Sequence, residues 1–279
     1  MQYKKLAQAY EDLSSTRKRL EKIKILAKFL EHVSKEDKDI MYLLEGNIYP
    51  DYSEKKIGIS NRIAIQAMSK ATGLEKKEVV ELWKKIGDLG KVAEELAKNK
   101  KQSTLTASHI LTIKKVIDNL RKLPELIGKG TVGKKLSLIT ELLTSATPIE
   151  SKYLIRTLIG DLRIGVQEST IRAGLAKAFF DGKEGASKKV QSAIDKTNDL
   201  GLVFEMSMKG KLKDLDKATL EVGKPIKAML AGKAKTMEKG FKAVGTPCAV
   251  EYKYDGFRLL IHKKSDKEIT LYTRRLENV

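Results

Sequence analysis

Apolar residues recur at helical spacing along most of the chain, with lysine and glutamate between them. One such apolar stripe consists of Leu20, Ile23, Leu26, Ala27 and Leu30. Side chains three and four residues apart share a face of an α-helix, so this spacing predicts amphipathic helices that each bury one face. The pattern continues to about residue 210 and predicts an all-helical domain over residues 1–210.

Local capping signals predict where several of these helices begin and end. Gly73 follows a helical run and can take the left-handed conformation that ends a helix. Thr147 is suited to an N-cap, because Pro148 fits the first turn and Glu150 completes a capping box. Residues 128–133, with the sequence GKGTVG, are predicted to form a short basic loop between helices.

The pattern changes after about residue 211. Residues 211–245 mix glycine, lysine and proline with short apolar pieces, and we interpret them as a connecting segment. Residues 246–279 contain runs rich in Val, Tyr, Ile and Leu, which predict an antiparallel sheet. The predicted strands are 249–252, 257–262 and 268–273, with a turn at 264–267.

This predicted sheet is small. Two or three strands are too few for an independently stable sheet with a buried face. We therefore expect residues 246–279 to be the incomplete start of a second domain, and the chain to be a fragment. The predicted fold class is mainly α, with an all-helical domain followed by the first antiparallel strands of a mixed domain.

The charge balance points to a polyanionic partner. Lysine and arginine number 55 against 36 aspartate and glutamate, which gives a formal net charge of +19 and a pI near 9.7. Like charges repel one another within a folded protein, so an excess of this size indicates binding to a polyanion such as nucleic acid. No uncharged apolar run approaches the roughly 18 residues that a membrane span needs.

Other classes of protein are excluded by composition. The first residues include acids where a signal peptide needs an apolar run, so we expect an intracellular, soluble protein. One cysteine and three scattered histidines exclude a disulfide framework and a zinc cluster, and we predict no metal-ligating residues. Few cysteines with abundant lysine and glutamate also fit the composition of a thermophile protein.

The sequence Gly-Asp-Leu occurs twice in the predicted helical domain and is followed each time by a helical run. It stands at 87–89, directly before Gly90, and at 160–162, directly before Arg163 and close to Gly165. Two similar helical hairpins are predicted. The simplest interpretation is that these glycines are helix caps without a ligand.

A second interpretation makes these turns phosphate contacts. Glycine lets backbone N–H groups at a helix N-terminus approach a phosphate, and the helix dipole favours an anion there. Arg156 and Lys152, one and two turns before the second Gly-Asp-Leu, favour this interpretation. The predicted DNA contacts are Gly87, Gly90, Gly160, Arg163 and Gly165.

The sharpest chemical signal is the run EYKYDGFR at 251–258, where a predicted strand meets a turn. A lysine amine acts as a nucleophile only after losing its proton, which a nearby cation or partial burial favours. Asp255 and Gly256 would turn the chain and return Arg258 to the side of Lys253. The planar guanidinium of Arg258 could then bind phosphate or ribose oxygens. The alternative is a basic hairpin turn without chemistry.

The run KYDGFR at 253–258 resembles the KxDGxR nucleophile motif of covalent nucleotidyltransferases, and the whole chain resembles ATP-dependent DNA ligases of the archaeal and eukaryotic replicative type. The further stretches that carry the resemblance are GDLGKVAEEL at 87–96, residues 152–179 with GDLRIGVQEST, PIKAML at 225–230 and TRRLENV at 273–279. The resemblance implies a helical DNA-binding domain followed by the start of an α+β adenylation domain.

The resemblance also implies a reaction and its participants. Lys253 would attack the α-phosphate of ATP, with Mg²⁺ neutralising phosphate charge, and AMP would pass to the 5′-phosphate of a nick before the 3′-hydroxyl seals the strand. By similarity, Glu251 lies beside the adenine, Arg258 contacts ribose or phosphate, and Arg274 approaches the nucleotide or the nicked strand. Nicked duplex DNA is the implied partner, in replication and repair at the nucleoid of an archaeal cytoplasm.

Departures from the family pattern leave alternatives open. Further nucleotide ligands and a C-terminal OB-fold are expected in a complete ligase, so this chain alone is not expected to seal DNA. A sliding clamp is an uncertain partner, because QSTL at Gln102 lacks the aromatic pair that follows the glutamine in archaeal ligases. The rival interpretations are a capping enzyme or RNA ligase, which share KxDG, and a non-catalytic DNA-binding module.

Overall fold

The structure is a computed structural model that describes residues 1–99, 110–181, 183–228 and 232–279. The chain divides into two compact units, Met1–Thr219 and Leu220–Val279. Within the described ranges there are fourteen α-helices, a short 3₁₀ helix at Lys35–Asp37 and two β-strands. The chain is therefore mainly helical, as the sequence predicts.

The helices of the first unit are α1 (Tyr3–Ser15), α2 (Arg19–Leu30), α3 (Ile40–Leu44), α4 (Asn61–Thr72), α5 (Lys76–Ile86), α6 (Leu89–Lys98), α7 (Ile113–Lys122), α8 (Thr131–Ser145), α9 (Pro148–Leu158), α10 (Glu168–Phe180), α11 (Ala186–Thr197), α12 (Leu200–Ser207) and α13 (Leu212–Leu215). The elements of the second unit are α14 (Met237–Val244), β1 (Leu259–Ser265) and β2 (Glu268–Thr273).

Helix α9 forms the centre of the first unit. Every residue from Glu150 to Leu158 is buried, so neighbours cover this helix on all sides, including its two basic residues. Helices α1 and α6 both pack against α9, and the contact with α6 is the more extensive. A helix that is covered all round belongs to the interior of a domain.

The predicted caps are confirmed where local chemistry sets them. Gly73 ends α4 with φ 76°, in the left-handed conformation. Thr147 and Glu150 form the capping box of α9, with Pro148 in the first turn. The predicted loop over residues 128–133 is too long, because α8 already begins at Thr131, after Gly130 in the left-handed conformation.

Helix α2 buries only part of the predicted apolar stripe, with Leu26, Ala27 and Leu30 inside and Leu20 outside. Leu20 is 75% exposed, whereas Lys22 is only 7% exposed. Lys22 stands four residues before Leu26, which packs closely on Gly174 of α10, where an added Cβ would lie 2.9 Å from the Leu26 Cβ. The close approach of α10 therefore sets the buried face of α2, and it includes Lys22 rather than Leu20.

The second unit contains a β-hairpin. Strands β1 and β2 pair antiparallel, from Leu259 opposite Thr273 to Ser265 opposite Glu268, with a two-residue turn between them. This confirms the last predicted strand. Strand β1 begins two residues later than predicted and runs on to Ser265, so the predicted four-residue turn at 264–267 is shortened to two residues. The strand predicted at 249–252 is wrong: in the described part of the chain no strand pairs with it, and Val250 and Tyr252 are 83% and 89% exposed. High β-propensity does not form a strand without a partner.

Among the described residues, no helix combines the length and apolar character that crossing a bilayer requires.

Candidate nucleic-acid interface and adenylation motif

The first Gly-Asp-Leu turn joins α5 to α6. Gly87 ends α5 with φ 74°, is exposed, and has no atom within 4 Å of the position that a Cβ would take. Asp88 caps α6, because its Oδ1 accepts a hydrogen bond of 3.0 Å from the backbone N–H of Lys91. The turn thus brings the exposed Gly87 next to the N-terminus of a helix, as both interpretations of the sequence require.

Gly90 lies in the interface between α6 and α9. It is buried, and an added Cβ would lie 2.7 Å from Cγ of Arg156 and 2.8 Å from the carbonyl oxygen of Lys152. Only glycine allows the two helices to approach this closely. Helix packing therefore accounts for Gly90, which distinguishes it from the exposed glycines predicted to contact DNA.

Asp88 is the central acceptor of the site. Its Oδ2 accepts a hydrogen bond of 2.7 Å from Arg156, and both side chains are buried. The same oxygen lies 3.2 Å from Nη1 of Arg163. Burial raises the pKa of this carboxyl, but hydrogen bonds from Arg156 and Lys91 together with the charge of Arg163 outweigh burial and hold the pKa below its usual value.

The second Gly-Asp-Leu turn differs from the first. Gly160 follows the end of α9 with φ 71° and is exposed, but α10 begins only at Glu168, so Asp161 caps no helix. The expectation of two similar hairpins is therefore wrong. Arg163 interrupts the turn in the left-handed conformation, with φ 55°, and Gly165 follows with φ 60°.

Arg163 connects the two turns and still faces solvent. Its Nε donates to Asp161 at 2.7 Å, its Nη1 reaches Asp88, and 48% of its side chain is exposed. Of the sequence-predicted contacts, the structure brings Arg163 next to the α5–α6 turn and leaves Gly87, Gly160 and Gly165 exposed.

Lys152 and Arg156 are not available to a ligand, although their positions in the sequence favour phosphate binding. Lys152 is buried, donates to Glu11 at 2.7 Å and lies 3.6 Å from Glu94. Burial raises the pKa of Glu11, but hydrogen bonds from Lys152 and Tyr153 outweigh this and lower it overall. Because α9 is central, its basic residues pair with acids from neighbouring helices instead of facing solvent.

Lys22 supports the second turn from inside the domain. Its Nζ donates to the carbonyl oxygens of Ile164 and, at 3.0 Å, of Gly165. Neither Lys22 nor Asp88 is among the site residues predicted from the sequence. The available signals were a lysine on the apolar stripe of α2 and an aspartate in the repeated Gly-Asp-Leu.

One group of carboxylates lies near this site. The carboxylate oxygens of Glu45, Asp51 and Glu168 lie within 4.8 Å of one another, and the three side chains are half-buried. The three acids are scattered along the sequence and are not among the predicted site residues. Clustered acids are common at protein surfaces without a bound ion, so the grouping alone defines no metal site.

The predicted adenylation residues lie in the second unit. Glu251, Lys253 and Arg258 are exposed and lie in an irregular segment before β1, and Arg274 is exposed directly after β2. The pairing of Leu259 with Thr273 brings the flanking residues Arg258 and Arg274 to the same end of the hairpin. Both arginines therefore flank the same end of the hairpin, and a guanidinium group is a common ligand of phosphate. Gln102 lies outside the described residues.

Comparison with known proteins adds independent information. A family model described as DNA ligase N terminus matches residues 2–176, and a second, described as ATP dependent DNA ligase domain, matches residues 228–279. The first match contains both Gly-Asp-Leu turns, and the second contains Lys253.

Sequence similarity to known proteins extends over the whole chain. It is 40% identical to a DNA ligase of Methanosphaera stadtmanae, with 99% of this chain and 49% of that protein covered. It is 38% identical to DNA ligases of Nanoarchaeum equitans and Methanopyrus kandleri, with 100% of this chain and 48% and 49% of those proteins covered. The chain spans about half the length of the curated relatives it matches. The chain therefore belongs to the ATP-dependent DNA ligase family of the archaeal type.

Proposed function

We propose that the first unit binds duplex DNA at a nick through sequence-independent contacts with the phosphate backbone. The observation that carries this proposal is the meeting of the two Gly-Asp-Leu turns at Asp88, which orders the half-exposed Arg163 beside exposed Gly87 and Gly160. Backbone amides and a guanidinium group are common phosphate contacts, and they carry no base specificity.

The proposed role of the second unit is to contribute the nucleophile of a DNA ligase. Nζ of Lys253 would form a bond to the α-phosphorus of ATP and release pyrophosphate, which leaves AMP on the lysine. AMP would then pass to the 5′-phosphate of the nick, and the 3′-hydroxyl would displace it to join the strands. Glu251 would lie beside the adenine, while Arg258 and Arg274 would contact the phosphates, ribose or nicked strand.

The donor chemistry of this segment fits a nucleoside triphosphate. Two arginines at one end of the hairpin can bind phosphate oxygens. Mg²⁺ is commonly held by one or two carboxylates together with substrate phosphates, so it would enter with ATP and neutralise phosphate charge when bound. The archaeal relatives support a role at the DNA of an archaeal cytoplasm.

Matched glycine variants test the DNA-binding proposal. Gly87, Gly160 and Gly73 have φ of 74°, 71° and 76°, are all exposed, and have no atom within 4 Å of an added Cβ. We expect Gly87→Asp and Gly160→Asp to weaken binding of nicked duplex roughly tenfold, about 1.4 kcal/mol, because each adds negative charge where phosphate lies.

Gly73→Asp is the control, because it imposes the same charge and the same backbone strain at the end of α4. Fluorescence anisotropy on two duplexes of unrelated sequence measures the affinities. Equal affinities of all three variants would show that neither turn contacts phosphate. In a longer ligase that contains this chain, labelling with α-³²P-ATP tests the nucleotidyltransferase proposal, and labelling from GTP alone would favour a capping enzyme.

A further inference from the structure

Lys22 is a buried cation that the proposed function does not use directly. It is 7% exposed, and Nζ contacts two consecutive carbonyl oxygens of the loop between α9 and α10, those of Ile164 and Gly165. No carboxylate in the described ranges forms an ion pair with it. The amine is therefore hydrogen-bonded to backbone oxygens, and no carboxylate of the described residues compensates its positive charge.

Burial of such a group is costly. Moving an ammonium ion out of water carries a large free-energy penalty, which hydrogen bonds offset only in part. Burial lowers the pKa of Lys22. The next positions on the same face of α2, Leu26 and Leu30, are apolar and fully buried. An apolar residue at position 22 would suit the packing of α2, so the lysine points to a requirement of the loop that it contacts.

The contact fixes the direction of two peptide groups. The peptide bonds on both sides of Gly165 are trans, so each carbonyl and the N–H of the same peptide point in opposite directions. Because the carbonyl oxygens of Ile164 and Gly165 face the buried ammonium group, the N–H groups of Gly165 and Val166 face away from it. Among the described residues, neither N–H donates to a protein acceptor.

These two N–H groups create a small region of positive electrostatic potential at the surface. Gly165 is exposed, Arg163 lies two residues earlier with half of its side chain in solvent, and the charge of Lys22 lies directly beneath. Successive backbone N–H groups in a turn are a common anion-binding arrangement. The N-terminus of α10 itself is less suitable, because Glu168 belongs to the group of three carboxylates.

We infer that Lys22 is a positioning residue, whose buried ammonium group holds the Ile164–Gly165 turn so that the N–H groups of Gly165 and Val166 bind a DNA phosphate. This inference rests on the proposed DNA-binding function of the first unit. The site takes a phosphodiester of the duplex backbone, and Lys22 acts on it through the turn and through its charge.

Three substitutions in α2 test this role in the 279-residue chain. We expect Lys22→Met to weaken binding of nicked duplex roughly tenfold or more. Lys24→Met removes the same charge from an exposed position of the same helix, and we expect less than about a threefold change. Leu26→Ala opens a cavity between α2 and α10 and should lower the melting temperature while leaving affinity close to that of the wild type.

Anisotropy at one fixed salt concentration gives the affinities, and circular dichroism shows that each variant is folded. If Lys22→Met binds as tightly as Lys24→Met, the inference is overturned, while the DNA-binding proposal stands. If the wild-type chain does not bind nicked duplex at all, the proposed function fails and the inference fails with it. Lys22→Gln replaces Lys22→Met if the latter does not fold.

Amide NMR shifts provide a direct readout that a purely structural lysine would not affect. On addition of nicked duplex, the amide resonances of Gly165 and Val166 should shift in the wild-type chain, while that of Gly73 should not. In Lys22→Gln we expect nicked duplex to cause no shift of the Gly165 and Val166 amide resonances. Unchanged Gly165 and Val166 resonances in a wild-type chain that binds DNA by anisotropy would contradict the assignment of this phosphate site.

Discussion

The two units of the chain differ in how far they bury their side chains. In the first unit, α9 is buried from Glu150 to Leu158, and the charges of the candidate DNA site are fixed by partners from several helices. In the described part of the second unit, Pro225, Tyr272 and Leu276 are the buried residues, and the run that contains Lys253 is exposed. The motif with the more specific sequence thus lies in the more exposed surroundings.

This contrast separates two sources of function. KxDGxR is recognised from its sequence alone, whereas its chemistry requires a pocket that orients ATP and excludes water. Gly-Asp-Leu is a weak signal in sequence, but the packing of α6 on α9 arranges it in three dimensions. We therefore expect the first unit to act alone and Lys253 to act only within a more complete adenylation pocket.

The largest expected effect is at Lys253. In a longer ligase that contains this chain, Lys253→Ala should abolish labelling from α-³²P-ATP and nick sealing, because the attacking amine is removed. DNA affinity should not change. Lys263→Ala removes another exposed lysine of the second unit and should retain full labelling. In the 279-residue chain itself we expect weak or absent labelling, and efficient nick sealing by that chain would show that its pocket is already complete.

Raising the salt concentration from about 50 to 200 mM should weaken the affinity for DNA roughly 10³-fold if six or more phosphates are neutralised. The net charge of +19 and backbone-directed contacts both lead to this expectation. A salt titration of the dissociation constant, followed by anisotropy, measures the slope. A flat profile would mean that the interaction does not depend on phosphate, and the comparison between the units would lose its basis.

Removal of Asp88 should destabilise the first unit strongly. Asp88→Ala leaves Arg156 buried without its carboxylate, and breaking such a pair costs about 3 kcal/mol or more. The lower value is expected here, because Arg156 also lies 3.5 Å from the Leu162 carbonyl oxygen. Asp161→Ala is the control: it removes an exposed partner of Arg163 and should cost less than about 1 kcal/mol.

The same pair predicts a pH dependence. Because the folded-state pKa of Asp88 is lowered, its contribution to stability is present above the ordinary carboxyl pKa and is lost as pH falls through the lower, folded-state pKa. The stability difference between wild type and Asp88→Ala, measured by urea unfolding, should therefore be constant near neutral pH and shrink in acid. A difference that grew in acid would contradict the proposed charge state.

A smaller effect distinguishes the two glycines of the first turn. Gly90→Ala should cost about 2 kcal/mol, because its Cβ would overlap the Lys152 carbonyl oxygen and the backbone of α9 cannot move cheaply. Gly87→Ala meets no atom and should cost only about 1 kcal/mol for the left-handed conformation. Thermal unfolding of both variants measures the difference, and equal values would show that α6 and α9 separate easily.

Much of the fold follows from local chemistry that is visible in the sequence. The helix end at Gly73 and the capping box of Thr147 depend on residues within a few positions of each other. The buried face of α2 could not be predicted in the same way, because Gly174, which sets it, lies far along the chain. The strand expected at 249–252 failed for a related reason, since a strand requires a partner as well as propensity.

The candidate site likewise combines features set by neighbouring residues with features set by residues far apart in the sequence. Glycine spacing identifies the two turns, but the Asp88 pairs join residues that are 68 and 75 positions apart. The contact of Lys22 with Gly165 spans 143 positions. No periodicity or local motif indicates such pairs. They explain why Lys152 and Arg156, which look like phosphate ligands in the sequence, are internal partners in the structure.

The central claim is that the first unit alone binds nicked DNA. Leu215 and Ala218 are buried in its core, so a fragment of residues 1–219 keeps the core complete. Anisotropy should give this fragment a dissociation constant for nicked duplex within about threefold of that of the 279-residue chain. A folded 1–219 fragment that does not bind, together with binding by residues 220–279, would contradict the account.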